Sequence, residues 1–437
     1  MPRRHCKELS RLRALTGVAL ALALGASAWQ GPAHAETNLT VETIAGYTDN
    51  LLRLPDGDDD VPVSLGLVGT WTSATRHLTA DVEGRVDGVT YLNNTFDDEV
   101  LGQLDGSVTW WAVPDRFAWT LDNVYGQITT DPFSPIGPDN RQNTNFLSTG
   151  PDWYIPIGTQ TRAYLGGRYA SAQYEITDSD SERLLGIVGI DRAMSSSSRL
   201  GVQASTETVD FDSDAQMDFD RNEAYVNYEY SSGERHGLTV KAGYTWLSSD
   251  AGDRSAPLLG VLLSRQLSPS LELQLELASE FSDAGVDFAA GGLPGSGAGT
   301  DPGVIPQAGA YEVRSGRAVI DFRRSRTMLN FAIEVADEIY EMVTLDRRRY
   351  EAQLRAERRM SERMTGLAGI NLSRSDYQSG GLEREDIDSE YRLELRRELG
   401  PRTSLAIVGL YASRSSDESA NEFDETRGYV VFDYSLH

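Results

Sequence analysis

Residues 268–280 read SPSLELQLELASE. Leu271, Leu273, Leu275 and Leu277 alternate with Glu272, Gln274 and Glu276. Side chains on a β-strand point to opposite faces with a period of two, so one face here is leucine and the other is acidic and amide. A helix would scatter these leucines around its circumference. The leucine face wants hydrocarbon and the glutamate face wants water. Strands with these two demands satisfy both by closing into a barrel with lipid outside and water inside, and the rest of the chain repeats the solution. The fold expected is an all-β, transmembrane, antiparallel up-and-down β-barrel of the bacterial outer membrane.

The first residues set the compartment. Arg3, Arg4, Lys7, Arg11 and Arg13 form a basic start, Leu15 to Leu24 an apolar run, and Ala33-His34-Ala35 a small-x-small cleavage signal. This is the pattern of a secretory signal peptide over residues 1–35, followed by one barrel domain over 36–437. The apolar run is too short to span a bilayer as a helix. The single cysteine, Cys6, lies inside the leader, so the exported chain has no thiol for a disulfide, a metal or a nucleophile. The net charge of -26 argues against nucleic acid as a partner. It suits acidic outer loops lying among lipopolysaccharide phosphates through bridging divalent cations, with outer-membrane lipid around the barrel.

Short turn signals recur at Thr75-Arg76, Pro114-Asp115-Arg116, Gly158-Thr159, Ser195 to Ser198 and Ser232-Gly233-Glu234. They continue at Ser268-Pro269, Ser325-Arg326, Ser361-Glu362 and Gly400-Pro401. Their spacing is roughly 36 to 43 residues, with one interval of about 56, each holding two strand-length segments and a loop. Between them lie longer Asp-, Asn- and Gly-rich connections, among them Thr48 to Asp60, Thr130 to Asn143, Ser248 to Asp253 and Asp283 to Ala308. Short turns on the periplasmic side and long loops outside are the usual asymmetry of such barrels. The count is about 20 strands, with 18 the alternative.

Further strands repeat the pattern. Tyr350, Ala352, Leu354 and Ala356 alternate with Arg349, Glu351, Gln353, Arg355 and Glu357, and the row continues to Arg359. Ile387, Tyr391, Leu393 and Leu395 alternate with Glu390, Arg392, Glu394 and Arg396. A charge facing lipid near the midplane costs roughly 2–4 kcal/mol, so these charges belong to the lumen. A soluble sandwich also alternates, but it needs neither so many hairpins nor such charge-dense second faces. Trp71, Trp110, Trp111, Phe117, Trp119, Trp153 and Tyr154 gather near the short turns, where an aromatic girdle is expected. The last strand, GYVVFDYSLH from Gly428, looks like the C-terminal signal read by the barrel-assembly machinery, although it ends in His437 instead of an aromatic.

Gly46-Tyr47-Thr48-Asp49-Asn50-Leu51 resembles the opening of the type 2 family of β-barrel porins. Pro114-Asp115-Arg116, Gly137-Pro138-Asp139-Asn140-Arg141, Thr149-Gly150-Pro151 and Gly166-Gly167-Arg168-Tyr169 support the resemblance, which is best from Glu36 to Tyr230. It implies an outer-membrane barrel of the kind associated with exopolysaccharide and exosortase loci, with polysaccharide as a partner. It brings no catalytic residues.

No catalytic, cofactor or metal site is expected. Outer-membrane enzymes generally use a histidine near a rim, and His77, His236 and His437 all fall at short turns or the chain end. Asp56-Gly57-Asp58-Asp59-Asp60 lacks the remaining ligand pattern of a calcium loop and reads as a solvated acidic loop. The functional candidates are the lumenal charges Glu272, Glu276, Arg349, Glu351, Arg355, Glu357, Arg359, Glu390, Arg392, Glu394 and Arg396. Two readings of them stand: a transverse field for a hydrated solute, or mutual neutralisation that merely keeps the interior wet. The stretch GGLPGSGAGTDPGVIP within Asp283 to Ala308 argues against a regular element and for a mobile cover over the outer mouth; an inward constriction or plug is the alternative. The function expected is a channel passing or exporting hydrophilic solutes. A structural barrel with a blocked lumen comes second, and an outer-membrane hydrolase third.

Overall fold

The computed structural model describes residues 35–214, 216–233, 235–291, 309–340, 346–379 and 382–436. The signal-peptide reading therefore lies outside the described residues, apart from Ala35, which begins the first strand.

Twenty strands follow one another: β1 Ala35–Thr48, β2 Pro62–Ala74, β3 Leu78–Tyr91, β4 Glu99–Val113, β5 Phe117–Ile128, β6 Gln142–Ile157 and β7 Thr161–Tyr174. Then come β8 Ser181–Ala193, β9 Ser198–Phe211, β10 Phe219–Ser232, β11 His236–Ser249, β12 Gly252–Ser268 and β13 Leu271–Ser282. A helix, α1 Ala284–Gly291, precedes β14 Tyr311–Arg324, β15 Thr327–Tyr340, β16 Asp346–Ser361 and β17 Met364–Ser379. The chain ends with β18 Leu382–Glu398, β19 Thr403–Ser416 and β20 Phe423–Ser435. Each strand pairs antiparallel with its sequence neighbours, and β1 pairs antiparallel with β20 from Thr40↔Ser435 to Thr48↔Arg427. The ring is closed, so no strand edge is left unpaired. Twenty strands is the expected number.

Alternation sorts the faces as expected. Leu184, Ile407 and Leu393 are 67%, 60% and 67% exposed on the outer face, while the intervening positions turn inward. Water would not tolerate this belt, and every strand, at 12 to 17 residues, is long enough to cross a hydrocarbon core tilted. Among the described residues no helix is long and apolar enough to cross a membrane; strands do the crossing. Trp71, Trp110, Phe117, Trp119 and Trp153 lie on the outer face near the short-turn rim. Trp111 and Tyr154 do not belong to that girdle. They face inward, with ring centroids 5.8 Å apart, because the alternation that sends Trp110 and Trp153 outward sends the next residue in.

All the short turns fall where the sequence places them, and Gly158 (φ 74°) and Gly233 (φ 61°) take the left-handed conformation that needs glycine. Two long connections do not exist: that expected at Gln378 to Glu383, where β17 runs on to Ser379 and β18 starts at Leu382, and that at Ser248 to Asp253. Between Ser248 and Asp253 the strands run on to Ser249 and Gly252, leaving a two-residue turn, since Asp and Gly serve a tight hairpin as readily as a loop. A further long connection that the sequence suggests, Val343 to Leu345, lies outside the described residues.

Gly150-Pro151 makes a pinch in the wall. Proline has no N–H to give the ladder, and the β6–β7 pairing skips from Thr149↔Tyr169 to Asp152↔Gly166. A Cβ on Gly150 would lie 1.9 Å from the Gly167 carbonyl oxygen, so only glycine fits. The Arg168 guanidinium repairs the break, donating to the carbonyls of Pro151 (3.2 Å) and Gly167 (2.9 Å) and to Asp152 (2.7 Å).

Candidate functional site: a lumen narrowed from within

Two connections at the long-loop rim fold into the barrel. The first carries α1. Asp283 caps it, its carboxylate accepting the backbone N–H of Gly285 (3.0 Å) and Val286 (3.2 Å). Beyond the cap, Ala284 and Phe288 pack on Val124, Ile128, Ala172 and Tyr174 of β5 and β7. Those strands lie across the ring from β13, so the helix reaches over the interior. The expectation that this segment holds no regular element and covers the mouth is therefore wrong for residues 283–291. Its glycine- and proline-rich part, 292–308, lies outside the described residues. The apolar Val286 and Phe288 behind an Asp cap were the available signal.

The cap is latched to the wall. Arg183 of β8 forms a bidentate pair with Asp283, one arm at 2.7 Å, and both side chains are at most 2% exposed. Glu207 of β9 lies 4.0 Å from Arg183 and pairs with Arg221 of β10, which also donates to the Phe281 carbonyl at 2.7 Å. Burial opposes ionisation of Asp283, but the Arg183 guanidinium, with Arg221 behind it, holds the carboxyl below its usual range. Asp287 on α1 has no such partner. Burial pushes its carboxyl up to about 7, Asp283 and Glu338 add to the rise, and the Ser282 hydroxyl and Arg349 oppose it.

The second inward segment joins β5 to β6. Asn140 folds it: its side-chain oxygen accepts from the Thr130 hydroxyl (2.7 Å) and the Asp131 N–H (2.9 Å). Its amide donates to the carbonyls of Asp131, Ser134 and Pro135. The compact loop then reaches across the lumen. Phe133 packs on Tyr377 of β17 with centroids 5.1 Å apart, and its carbonyl accepts from Arg384 of β18 at 2.6 Å. Arg384 is held in turn by Asp386 and Glu418. At the loop's end Arg141 pairs with Glu99, and the Tyr91 hydroxyl donates to the same carboxylate. Asn140 and Arg141 stand in one of the stretches that carried the family resemblance, and these contacts are their physical role here.

A small space of about 160 Å³ lies against β8–β10, lined by Gln203, Glu207, Arg221 and Glu223 among others. A cavity of about 1050 Å³ lies against β1–β4 and β15–β20. Of the eleven charges the sequence nominates, Arg355, Glu357, Glu390, Arg392, Glu394 and Arg396 line it. Glu272, Glu276, Arg349, Glu351 and Arg359 are on the inward faces of their strands but are not among the lining residues. Part of the set is neutralised. Glu394 accepts from Arg392 (2.8 Å) and Arg396 (3.0 Å), Arg396 also reaches Asp433 (3.1 Å), and Arg392 lies over the Tyr429 ring. Glu351 accepts from Gln353, Glu272 from Gln274, and Arg349 pairs with Glu334. Arg355, Glu357 and Glu390 have no ion pair among the described residues, so their charges face the water of the cavity. The sequence did not nominate Arg53 and Arg427, which grip Glu425 at 2.9 and 2.6 Å, or Arg85, which pairs with Glu42 and Asp87. Arg85 stands in a readable alternation, with Asp81, Glu83 and Asp87 on its face of β3 against Val82, Gly84 and Val86, so the signal for it was present and was passed over.

Among the described residues no group of three His, Cys, Asp or Glu side chains is arranged to hold a metal ion. His77 and His236 sit at short turns on the outer edge of the wall, and His437 lies outside the described residues.

No protein-family model matches the chain, and no curated protein is similar to it. Its fold is similar to solved outer-membrane barrels. The siderophore receptor PirA from Pseudomonas aeruginosa aligns over 93% of this chain and 81% of its own, at 12% identity and a TM-score of 0.42. OccK3 (OpdO) from the same organism aligns over 92% and 96%, at 11% identity and a TM-score of 0.37. The outer-membrane protein opdK, also from that organism, aligns over 92% and 99%, at 10% identity and the same score. So loose a likeness bears on neither solute nor mechanism, which rest on the lumen itself.

Proposed function

We propose that this chain is an outer-membrane channel that passes or exports hydrophilic solutes through a narrowed, charged lumen. The observation that carries it is the cavity of about 1050 Å³ against β1–β4 and β15–β20, bordered by the unpaired Arg355, Glu357 and Glu390. Groups of both signs across a wet gap orient a polar solute without holding it in one deep site, which suits passage more than storage. The belt of exposed leucine, isoleucine and valine supports a bilayer location, and the short turns face the periplasm on this reading. An oligosaccharide or exopolysaccharide is the solute class favoured by the family resemblance at Gly137–Arg141 and Thr149–Pro151. Lipopolysaccharide and the barrel-assembly machinery are the partners such a location brings.

A barrel with a closed lumen and a structural role is the second reading, favoured by α1 and the β5–β6 segment, both of which occupy the interior. Single-channel recording in a planar bilayer separates the two. Stable steps from the wild-type protein support the channel. A folded, heat-modifiable barrel that is silent, and becomes conducting when residues 284–308 are deleted, is plugged. Silence from both proteins overturns the channel. Swelling of liposomes in neutral and anionic oligosaccharides then tests the solute class.

A further inference from the structure

The outer face of the wall carries a charge asymmetry that the lumen does not use. Near the short turns, Arg192, Arg265, Arg324, Arg358 and Arg397 point outward from β8, β12, β14, β16 and β18. Each pairs in register with an outward neighbour, as Arg265 does with Leu273 and Arg397 with Leu405. All five are exposed, and none makes an ion pair or side-chain hydrogen bond among the described residues. From β8 to β20, the outward positions within four residues of a short turn hold no acid among the described residues. The turns add Arg326, Arg363 and Arg402 against Glu362. At the opposite edge the outward face reverses sign: it bears Asp210, Asp220, Asp253, Asp376 and Glu385, and its arginines there are already paired, Arg314 with Glu312, Arg348 with Asp337 and Arg374 with Asp376. In a chain of net charge -26, an unpaired arginine row on one edge of an apolar belt needs an anion to meet it.

We infer that this arginine collar is a binding surface for the phosphates of anionic glycerophospholipids in the leaflet on the short-turn side. The inference rests on the barrel spanning a bilayer. Arg324, Arg358 and Arg397 stand on alternate strands, about 10 Å apart, each directly beyond an apolar residue of the belt: Phe322, Ala356 and Leu395. A guanidinium there reaches the headgroup level with its stem along the acyl boundary and offers a two-pronged donor to a phosphate. The acidic edge would repel the same lipid, so the collar also fixes which way the barrel favours an asymmetric membrane.

The test uses the protein reconstituted in phosphatidylcholine vesicles carrying a trace of spin-labelled phosphatidylglycerol or spin-labelled phosphatidylcholine. The fraction of each probe immobilised at the barrel is read by electron paramagnetic resonance. The wild type is expected to prefer phosphatidylglycerol about fivefold, the factor one arginine contributes near an anionic surface. Replacing Arg265, Arg324, Arg358 and Arg397 by Gln together removes the preference, whereas Arg314→Gln, Arg348→Gln and Arg374→Gln at the other edge leave it intact. If the fourfold variant does not fold, salt decides: a preference abolished at 1 M, where screening is over about 3 Å, supports the collar. A preference that survives 1 M salt, is absent in the wild type, or is lost with the other edge overturns it. A wild type that does not insert into vesicles overturns both the collar and the membrane-spanning reading.

Discussion

Breaking the latch between Arg183 and Asp283 should release α1 while leaving the barrel closed. The substitution is Arg183→Ala. It strands the Asp283 carboxylate, which is 1% exposed, with its direct partner gone and Arg221 the next cation. Removing one member of a buried pair costs about 3–5 kcal/mol. The helix's remaining hold is smaller: burial of the Phe288 side chain contributes about 2–3 kcal/mol, and the Asp283 cap about 1 kcal/mol, which stays with the helix after it leaves the wall. The cost thus matches or exceeds what keeps α1 seated, and the segment should leave its site on β5 and β7. The wall, held by ladders on both sides of every strand, has no reason to open.

The assay is thiol labelling of Ala284→Cys in a Cys6→Ser background, with a membrane-impermeant reagent. Ala284 is buried, so the wild-type background should label slowly, and Arg183→Ala should accelerate labelling by two orders of magnitude or more, the factor of about 3 kcal/mol in a local opening. Heat-modifiable migration should be unchanged. Replacing both partners, Arg183→Met with Asp283→Leu, should slow labelling again, because no stranded charge remains. A labelling rate within twofold of wild type in Arg183→Ala would refute the latch.

The same cysteine reports pH dependence. The Asp287 carboxyl, near 3.8 when free and about 7 when seated, binds its proton more tightly in the docked state. Docking should therefore be strongest in acid, weaken as pH rises from about 4 to 7, and level off above. Labelling relative to a fully exposed cysteine at the same pH, which removes the thiolate's own pH dependence, is then faster at pH 8 than at pH 5 and flat in Asp287→Asn. In the lumen, Arg355→Glu should move the reversal potential toward cation preference more than Arg396→Gln does, since Arg396 is already spent on Glu394 and Asp433. Outside, Leu393→Arg should cost roughly 2–4 kcal/mol in urea unfolding from vesicles, whereas Glu394→Gln, the next residue, should leave the folded fraction nearly unchanged apart from its two arginine contacts. Gly150→Ala should slow or prevent β6–β7 pairing, read as loss of the heat-modifiable form, because its methyl would meet the Gly167 carbonyl.

The wall was legible in the sequence because every strand states its own two faces. Leu271 to Leu277 against Glu272 to Glu276 needs no distant information, and neither does the turn at Gly158 or Gly233. The filling of the wall was not legible, and the reason is separation along the chain. Arg183 and Asp283 are 100 residues apart, and Phe133 and Arg384 are 251 apart. Each of these residues taken alone is an ordinary inward charge or a loop aromatic. Even where the face was right, pairing was not: Arg355 and Arg392 read alike, yet only Arg392 has a glutamate two residues on in the same strand aimed at it. Trp111 and Tyr154 show the opposite failure, since composition drew them into a girdle that their parity excludes.

The two inward segments also explain why the interior charges are uneven. A ring of twenty strands encloses more space than wall side chains can fill, so something must fill it or water will. Against β5–β7, where α1 lies, the inward wall is apolar at Val124, Ile128 and Ala172, and beside it Arg183 is paired with Asp283 and Arg221 with Glu207. Along β16 and β18, away from the Phe133 contact with Tyr377 and Arg384, Arg355, Glu357 and Glu390 are left facing the cavity. Unpaired charge thus stays along the cavity, while the covered half holds hydrocarbon and the paired Arg183–Asp283 and Arg221–Glu207. Deleting 284–308 should therefore open a lumen whose new half is greasy: conductance should rise, while ion preference should stay with Arg355 and Glu390. A deletion that raised conductance and abolished the preference would place the selecting charges on the removed segment.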